Sequence, residues 1–285
     1  MTPPASRLRV GSAAGARLRW AGADTTVAVE EARRRLDLSP IAAAALGRLL
    51  TGAAIHHRLS APDSFQLVME ARGDGILGPV LAEVDREGRL RGMVRNPRAD
   101  LPRAIDGKLP VGLAVGRGVL RVSREHGAES FQSQVELVTG EIGDDLAHYL
   151  DQSEQTRSAV LLGVLTRTDG VVAAGGLIVE ALPDATDADL DRLQANLVAL
   201  GSVSRPIEEG GFDALLRGVL GGLEPVVADE YELRYECRCS RERLARHLAT
   251  LSVDERRSLA TEDGSLCAEC VFCGTVHRYS AEEFP

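Results

Sequence analysis

The first 236 residues of this 285-residue chain contain no cysteine, and aromatic residues make up only 4% of the whole. A secreted disulfide scaffold spreads its cysteines through a small domain, so that class is excluded. Long apolar runs are also missing. The longest, around Pro40–Leu50, is interrupted by Gly47 and Arg48, and no segment is long enough to span a bilayer. The opening MTPPASRLRV has no apolar core ending in a small-residue cleavage site, so no secretory signal is expected and the expected compartment is the cytoplasm. Basic excess is absent too: 33 Lys and Arg face 42 Asp and Glu. Nucleic-acid binding normally needs a basic patch, because phosphate contacts dominate affinity, so neither nucleic acid nor membrane is an expected partner.

What the chain does have is ordinary for a soluble domain: 44% hydrophobic and 26% charged residues, enough for a packed core without staples. Residues 1–181 read as an α+β domain. A short strand is expected at Arg17–Ala21 and a helix at Thr25–Leu36. Ser39-Pro40 supplies an N-cap and a first-turn proline for an alanine-rich helix to about Leu59. Strand-like runs follow at Phe65–Glu70, Val80–Val84, Arg89–Val94, Gly118–Ser123 and Phe131–Leu137, with turn residues between them. Their close spacing predicts a large antiparallel sheet packed with helices. Ile142–Ser153 reads as helix, and Ser158–Leu165 with Gly170–Glu180 as a last strand pair.

Residues 182–229 read as an acidic helical linker. From Leu182 to Glu232 there are 11 acidic and 3 basic residues, which accounts for most of the net charge of −9. Leu190, Leu193, Leu197 and Leu200 share one helical face. A second apolar stripe comprises Phe212, Leu215, Leu216, Val219, Leu220 and Leu223, but Gly218, Gly221 and Gly222 interrupt it, each costing about 1 kcal/mol against alanine in a helix interior. Such a segment has to lie on something, and it holds itself together poorly. It is either an ordinary connector or a segment that can detach.

All five cysteines fall in residues 230–285: Cys237, Cys239, Cys267, Cys270 and Cys273. Tyr231, Leu233 and Tyr235 alternate as in a strand that delivers the first pair. Ser240 can cap a short helix, and Ser252 with Glu255 forms a capping box for another. Few large apolar side chains remain, so this module needs a staple. Cys-x-Cys and Cys-x-x-Cys-Gly pairs at the two ends of a folded loop suit a tetrahedral zinc ion. Cys267-Ala-Glu-Cys270 is a second Cys-x-x-Cys, and spacing alone leaves both pairs open. Gly274 and the crowding of three ligands favour Cys237, Cys239, Cys270 and Cys273, with Cys267 a neighbour. His277 is placed outside the ligand set and His247 on a helix surface. Zinc thiolates can be purely structural, or can be oxidised to disulfides with loss of the metal.

This tail, with Cys239-Ser-Arg-Glu-Arg, Glu262-Asp-Gly264 and Cys273-Gly, resembles that of the heat shock protein 33 family. Gly140-Glu-Ile, Leu146-Ala-His-Tyr-Leu150, Ser153-Glu-Gln155 and Ala173-Ala-Gly-Gly176 extend the resemblance over essentially the whole chain. The resemblance implies an ATP-independent holdase chaperone, inactive while reduced and bound to one zinc ion. Oxidation would form the disulfides Cys237–Cys239 and Cys270–Cys273, release zinc and unfold the linker. The opened form would dimerise and hold unfolding client proteins. Phe212, Leu215, Leu216, Val219 and Leu220 are the expected client-binding surface. The family pattern does not require Cys267.

No catalytic residue is assigned and no enzymatic activity is expected. His56-His57 reads as a helix-end pair, and Glu154-Gln155 as capping or interdomain contact. Four thiolates leave no open position for Lewis-acid chemistry. The alternative is a static zinc-ribbon adaptor or nucleic-acid-binding protein, in which Tyr231, Tyr235, Phe272, Tyr279 and Phe284 would stack on bases.

Overall fold

A computed structural model describes residues 5–104, 107–127, 129–261, 263–280 and 283; Glu262 and Phe284 lie outside the described residues. The chain opens with the hairpin β1 (Ser6–Ala13) and β2 (Leu18–Asp24), then α1 (Thr26–Leu36) and the long helix α2 (Pro40–Ser60). Next come β3 (Gln66–Gly73), β4 (Val80–Asp85), β5 (Arg89–Val94), the single turn α3 (Val111–Val115), β6 (Gly118–His126) and β7 (Glu129–Glu136). α4 (Gly143–Glu154) precedes the hairpin β8 (Ser158–Arg167) and β9 (Gly170–Ala181), followed by α5 (Asp187–Leu200), α6 (Ser204–Leu220) and β10 (Val226–Tyr235). The tail carries α7 (Arg241–Ala249), α8 (Val253–Leu259), β11 (Leu266–Glu269) and β12 (Val276–Tyr279). Two compact units result, Met1–Tyr235 and Glu236–Pro285.

In the first unit ten strands form one sheet in the order β7-β6-β3-β4-β5-β10-β1-β2-β9-β8. Every neighbouring pair is antiparallel except β5 and β10. The sheet packs around α2, in which only Pro40, Arg48, Arg58 and Ser60 are not buried. A helix apolar on all sides belongs in a core. Ser39 starts it as expected, its Oγ accepting from the Ala42 N–H at 3.2 Å. The module boundary differs from the expectation near Glu230. β10 pairs with β1 from Ser6↔Leu233 to Ser12↔Val226, so Tyr231, Leu233 and Tyr235 belong to the first unit. Their alternation needs an apolar surface, and Leu233 and Tyr235 find it in the core around α2.

The acidic segment forms α5 and α6 and covers the other face of β2 and β9. Leu193, Ile207, Phe212, Leu215, Leu216, Val219 and Leu220 are buried there with Leu18, Trp20 and Leu177. Phe212 lies on Gly22, where a Cβ would come within 2.5 Å of its ring, and its centroid is 6.3 Å from that of Trp20. α6 begins earlier than the apolar stripe indicates and is broken at Gly210 and Gly211, the latter at φ +67°. Polar ties are few. Arg17 grips Asp189 with Nε and Nη2 at 2.7 and 2.9 Å, while Asp189 closes a capping box with Thr186. Arg9 Nη1 reaches Asp213 at 2.5 Å and its guanidinium lies 5.7 Å from the Phe212 centroid.

His56 and His57 near the end of α2 are both buried rather than simply helix-end groups. His56 Nε2 is 3.1 Å from both Glu154 Oε1 and Arg124 Nη2, so Glu154 closes a polar cluster inside the first unit. Gln155 ends α4 in the left-handed conformation. Burial, and then the Arg124 charge, hold the His56 imidazole down to about 3.

Phe212→Ala should cost about 3–5 kcal/mol and loosen α5 and α6 selectively. Limited proteolysis should then cut residues 183–223 faster while amide exchange in α2 stays unchanged; equal loosening of both would contradict the layered arrangement. Below about pH 6.5 the unfolded chain takes up a proton that folded His56 refuses, so this group's contribution is complete above that pH and is lost towards pH 3 at about 1.4 kcal/mol per pH unit. His56→Gln should flatten the acid limb of the stability curve, and an unchanged slope would contradict the assignment.

Candidate metal centre

In the second unit the only buried described residues are Leu266, Cys270, Cys273 and Tyr279. Four residues, two of them cysteines, do not make a core, so local ties decide the geometry. β11 and β12 pair from Leu266↔Tyr279 to Glu269↔Val276 and hold between them the turn that carries Cys270 and Cys273. Gly274, at φ +68°, lets its N–H bond the Cys270 carbonyl at 2.8 Å, and the Cys270 N–H bonds the Thr275 carbonyl at 3.0 Å. Cys237 and Cys239 lie on the irregular stretch before α7, whose N-cap is Ser240 as expected. The start of α7 is tied to β12: the Tyr279 hydroxyl donates to the Arg241 carbonyl at 2.8 Å, and Arg241 donates to the Arg278 carbonyl at 2.8 Å.

These ties bring the four thiols Cys237, Cys239, Cys270 and Cys273 together, with all Sγ atoms within 4.8 Å of one another. Separations of 3.5 Å run across the site from Cys237 to Cys270 and from Cys239 to Cys273. A tetrahedral zinc site with Zn–S bonds of about 2.3 Å has sulfur–sulfur edges of about 3.8 Å, so the donor set fits such an ion. Burial pushes the Cys237 thiol well above the usual thiol range and Cys239 up to about 11. Burial also raises Cys273, but hydrogen bonding with the side chain and backbone N–H of Thr275 and with the Cys239 and Cys237 side chains together more than offsets it and brings that thiol down to about 7. Neighbouring thiols that resist joint ionisation are those a divalent cation would deprotonate. Thr275 is the supporting residue that cysteine spacing does not reveal.

Cys267 is exposed on β11 and outside the four-thiol group. His277 Nε2 is 3.9 Å from Cys239 Sγ, against the cluster but outside it, and His247 is exposed. Phe212, Leu215, Leu216, Val219 and Leu220 are all buried in the first unit. Tyr231 lies in the first unit under Arg58, 4.0 Å from its centroid, the Tyr235 hydroxyl donates to the Gly92 carbonyl at 3.1 Å, and Tyr279 is 1% exposed. Among the described residues no helix is long and apolar enough to cross a membrane.

Comparison with known proteins places these features in context. The family model described as Hsp33 protein matches residues 6–280. A protein named 33 kDa chaperonin from Symbiobacterium thermophilum is 45% identical over 273 residues, covering 95% of this chain and 92% of that one. Another of that name from Thermus thermophilus is 43% identical over 290 residues, covering 97% and 85%. The crystal structure of the Thermotoga maritima 33 kDa chaperonin, a heat shock protein 33 homolog, superposes with a TM-score of 0.91 at 34% identity, covering 98% of this chain and 96% of that one.

The reduced protein should retain one zinc ion per chain on gel filtration. Serine at Cys237, Cys239, Cys270 or Cys273 should abolish stoichiometric retention, whereas Cys267→Ser should not. Chelation should unfold the second unit and leave α2 and the sheet around it folded, since binding of such an ion is worth on the order of 10–16 kcal/mol. Full retention by Cys270→Ser would contradict the site.

Proposed function

The chain belongs to the Hsp33 protein family, and from that premise we propose that it is a redox-regulated, ATP-independent holdase chaperone. The observation that carries the reading is the four-thiol cluster in a unit with almost no core of its own. Cys237, Cys239, Cys270 and Cys273 hold one zinc ion in the resting state. When bound, the ion supplies folding energy and keeps the four sulfurs as thiolates.

Activation is a two-electron oxidation at each sequence pair. At each pair two thiolates lose two electrons to hydrogen peroxide, which takes up two protons from solvent and leaves as two waters, and the bonds Cys237–Cys239 and Cys270–Cys273 form. Cys237, Cys239, Cys270 and Cys273 would then no longer offer thiolate donors, and the second unit would lose what held it folded. Tyr235, the last residue of β10, is only two residues from Cys237, so the disturbance enters the first unit along the chain. Residues 182–229 are the metastable linker in this reading, and residues 1–181 the stable core.

Once α6 lifts, Phe212, Leu215, Leu216, Val219 and Leu220 become a surface for apolar segments of unfolding proteins, and pairing of two opened copies enlarges it. Burying one such side chain is worth about 1.5–3 kcal/mol, enough for avid binding when several act together. The protein works in the cytoplasm and has no catalytic turnover.

Zinc content and suppression of client aggregation, measured on one sample before and after oxidation with mild unfolding, test this directly. Zinc loss together with a gain in holding activity and a shift to dimer is the expected result. Zinc loss with no gain in holding would leave a structural site and overturn the switch.

A further inference from the structure

The ten-stranded sheet ends at β8, which α4 packs against, and the strand's own sequence does little to protect that edge. β8 is ten residues long, its only charged residue is the terminal Arg167, and it contains no proline. Natural edges are commonly short, charged or covered, because unpaired N–H and C=O groups template a further strand. The Arg157 carbonyl accepts from the Ala181 N–H at 3.0 Å, and the ladder runs unbroken from Ser158↔Glu180 to Leu165↔Ala173. In an antiparallel ladder alternate residues face the partner, so the backbone groups of Leu162 and Val164 point away from β9. Among the described residues nothing hydrogen-bonds them on that side, and the next outward carbonyl, that of Thr166, accepts from Arg103 Nη2 at 3.0 Å.

This stretch of edge, Leu162–Arg167, forms one wall of a cavity of about 820 Å³. Its other walls carry Arg48, Arg103, Lys108 and Arg205, against the two carboxylates Glu141 and Glu208. Both carboxylates are already paired, with Arg48 and Arg167. Among the described residues Arg103 bonds only neutral oxygens, of Gly107 and Thr166, and the Arg48 Nε is buried without an acceptor. Arg205 is paired as well, with Glu209, so the cavity combines free strand edge with one guanidinium, that of Arg103, which meets no carboxylate among the described residues.

We infer that the β8 edge receives an extended acidic segment of another protein as an added strand. Main-chain bonds to Leu162 and Val164 supply affinity, and an Asp or Glu side chain on the segment meets Arg103. The site is complete in the first unit with the linker docked, so it does not rest on the proposed redox switch.

The test uses the reduced, zinc-loaded protein and a fluorescent peptide of about eight residues alternating Val and Glu, a length that matches a typical strand. Controls replace Glu by Lys, or N-methylate alternate residues to remove backbone donors. The acidic peptide should bind and slow amide exchange at Leu162 and Val164, and both controls should bind at least about tenfold more weakly. Val164→Pro removes an outward N–H without touching the β8–β9 ladder, a placement proline tolerates on an edge, and should weaken binding similarly. Arg103→Glu should do the same, and if Val164→Pro does not fold, Arg103→Glu with the N-methylated peptide decides. Failure of the acidic peptide to bind would overturn the proposal. So would binding that survives both Val164→Pro and N-methylation while polyphosphate competes for it, because the cavity would then be a simple anion pocket.

Discussion

The apolar face of β2 and β9 turned away from α2 has to be covered, and α5 with α6 is the segment that covers it. That requirement shapes much of the rest. Gly22, Gly175 and Gly163, on three adjacent strands, take Phe212, Ile207 and Val203 against bare backbone, where a Cβ would come within 2.5, 2.7 and 2.8 Å. The contact is close and apolar, and it is made by helices of poor intrinsic quality. A Gly-Gly break, a strongly acidic composition and few polar anchors leave tertiary packing as the main source of their order. Such segments sit at the low end of a protein's local stabilities.

The second unit presents the complementary weakness. Its helices are well capped, with Ser240, and with Ser252 and Glu255, satisfying their first N–H groups, yet neither helix has a buried residue. Two short strands and a Cys-x-x-Cys turn set the sulfurs in place, and a bound cation is the natural source of the missing stability. A module held by thiolates can be dismantled by an oxidant that leaves an ordinary core untouched. The proposed switch joins these two weaknesses, which are adjacent in sequence.

Much of this was legible from residues alone. Arg89–Val94 is a strand over the predicted range, because alternation and flanking turns are local signals. The Ser39-Pro40 helix start and the capping box at Ser252 are likewise local, and the cysteine pairs carry their chemistry in their spacing. Non-local relations stayed hidden. Arg7 and Arg9 alternate with Leu8 and Val10 as in a strand, but the partner of β1, β10, lies more than 200 residues away, so nothing local places β1 in the sheet. Tyr231, Leu233 and Tyr235 have a clear strand pattern, but nothing local says which unit owns it. The buried His56–Arg124–Glu154 cluster and the Arg17–Asp189 fork each join distant segments, so neither can be found by periodicity. Thr275 escaped notice because its role is to hydrogen-bond a sulfur two residues away.

The account depends on residues 187–220 being held only as long as the metal centre is intact. Hydrogen exchange across those residues, in the zinc-loaded reduced protein and after oxidation with zinc loss, measures that dependence, with the amides of α2 as an internal reference. Selective loss of protection in α5 and α6, with α2 unchanged, is the result the account predicts. Undiminished protection of α5 and α6 after the metal has gone would contradict it.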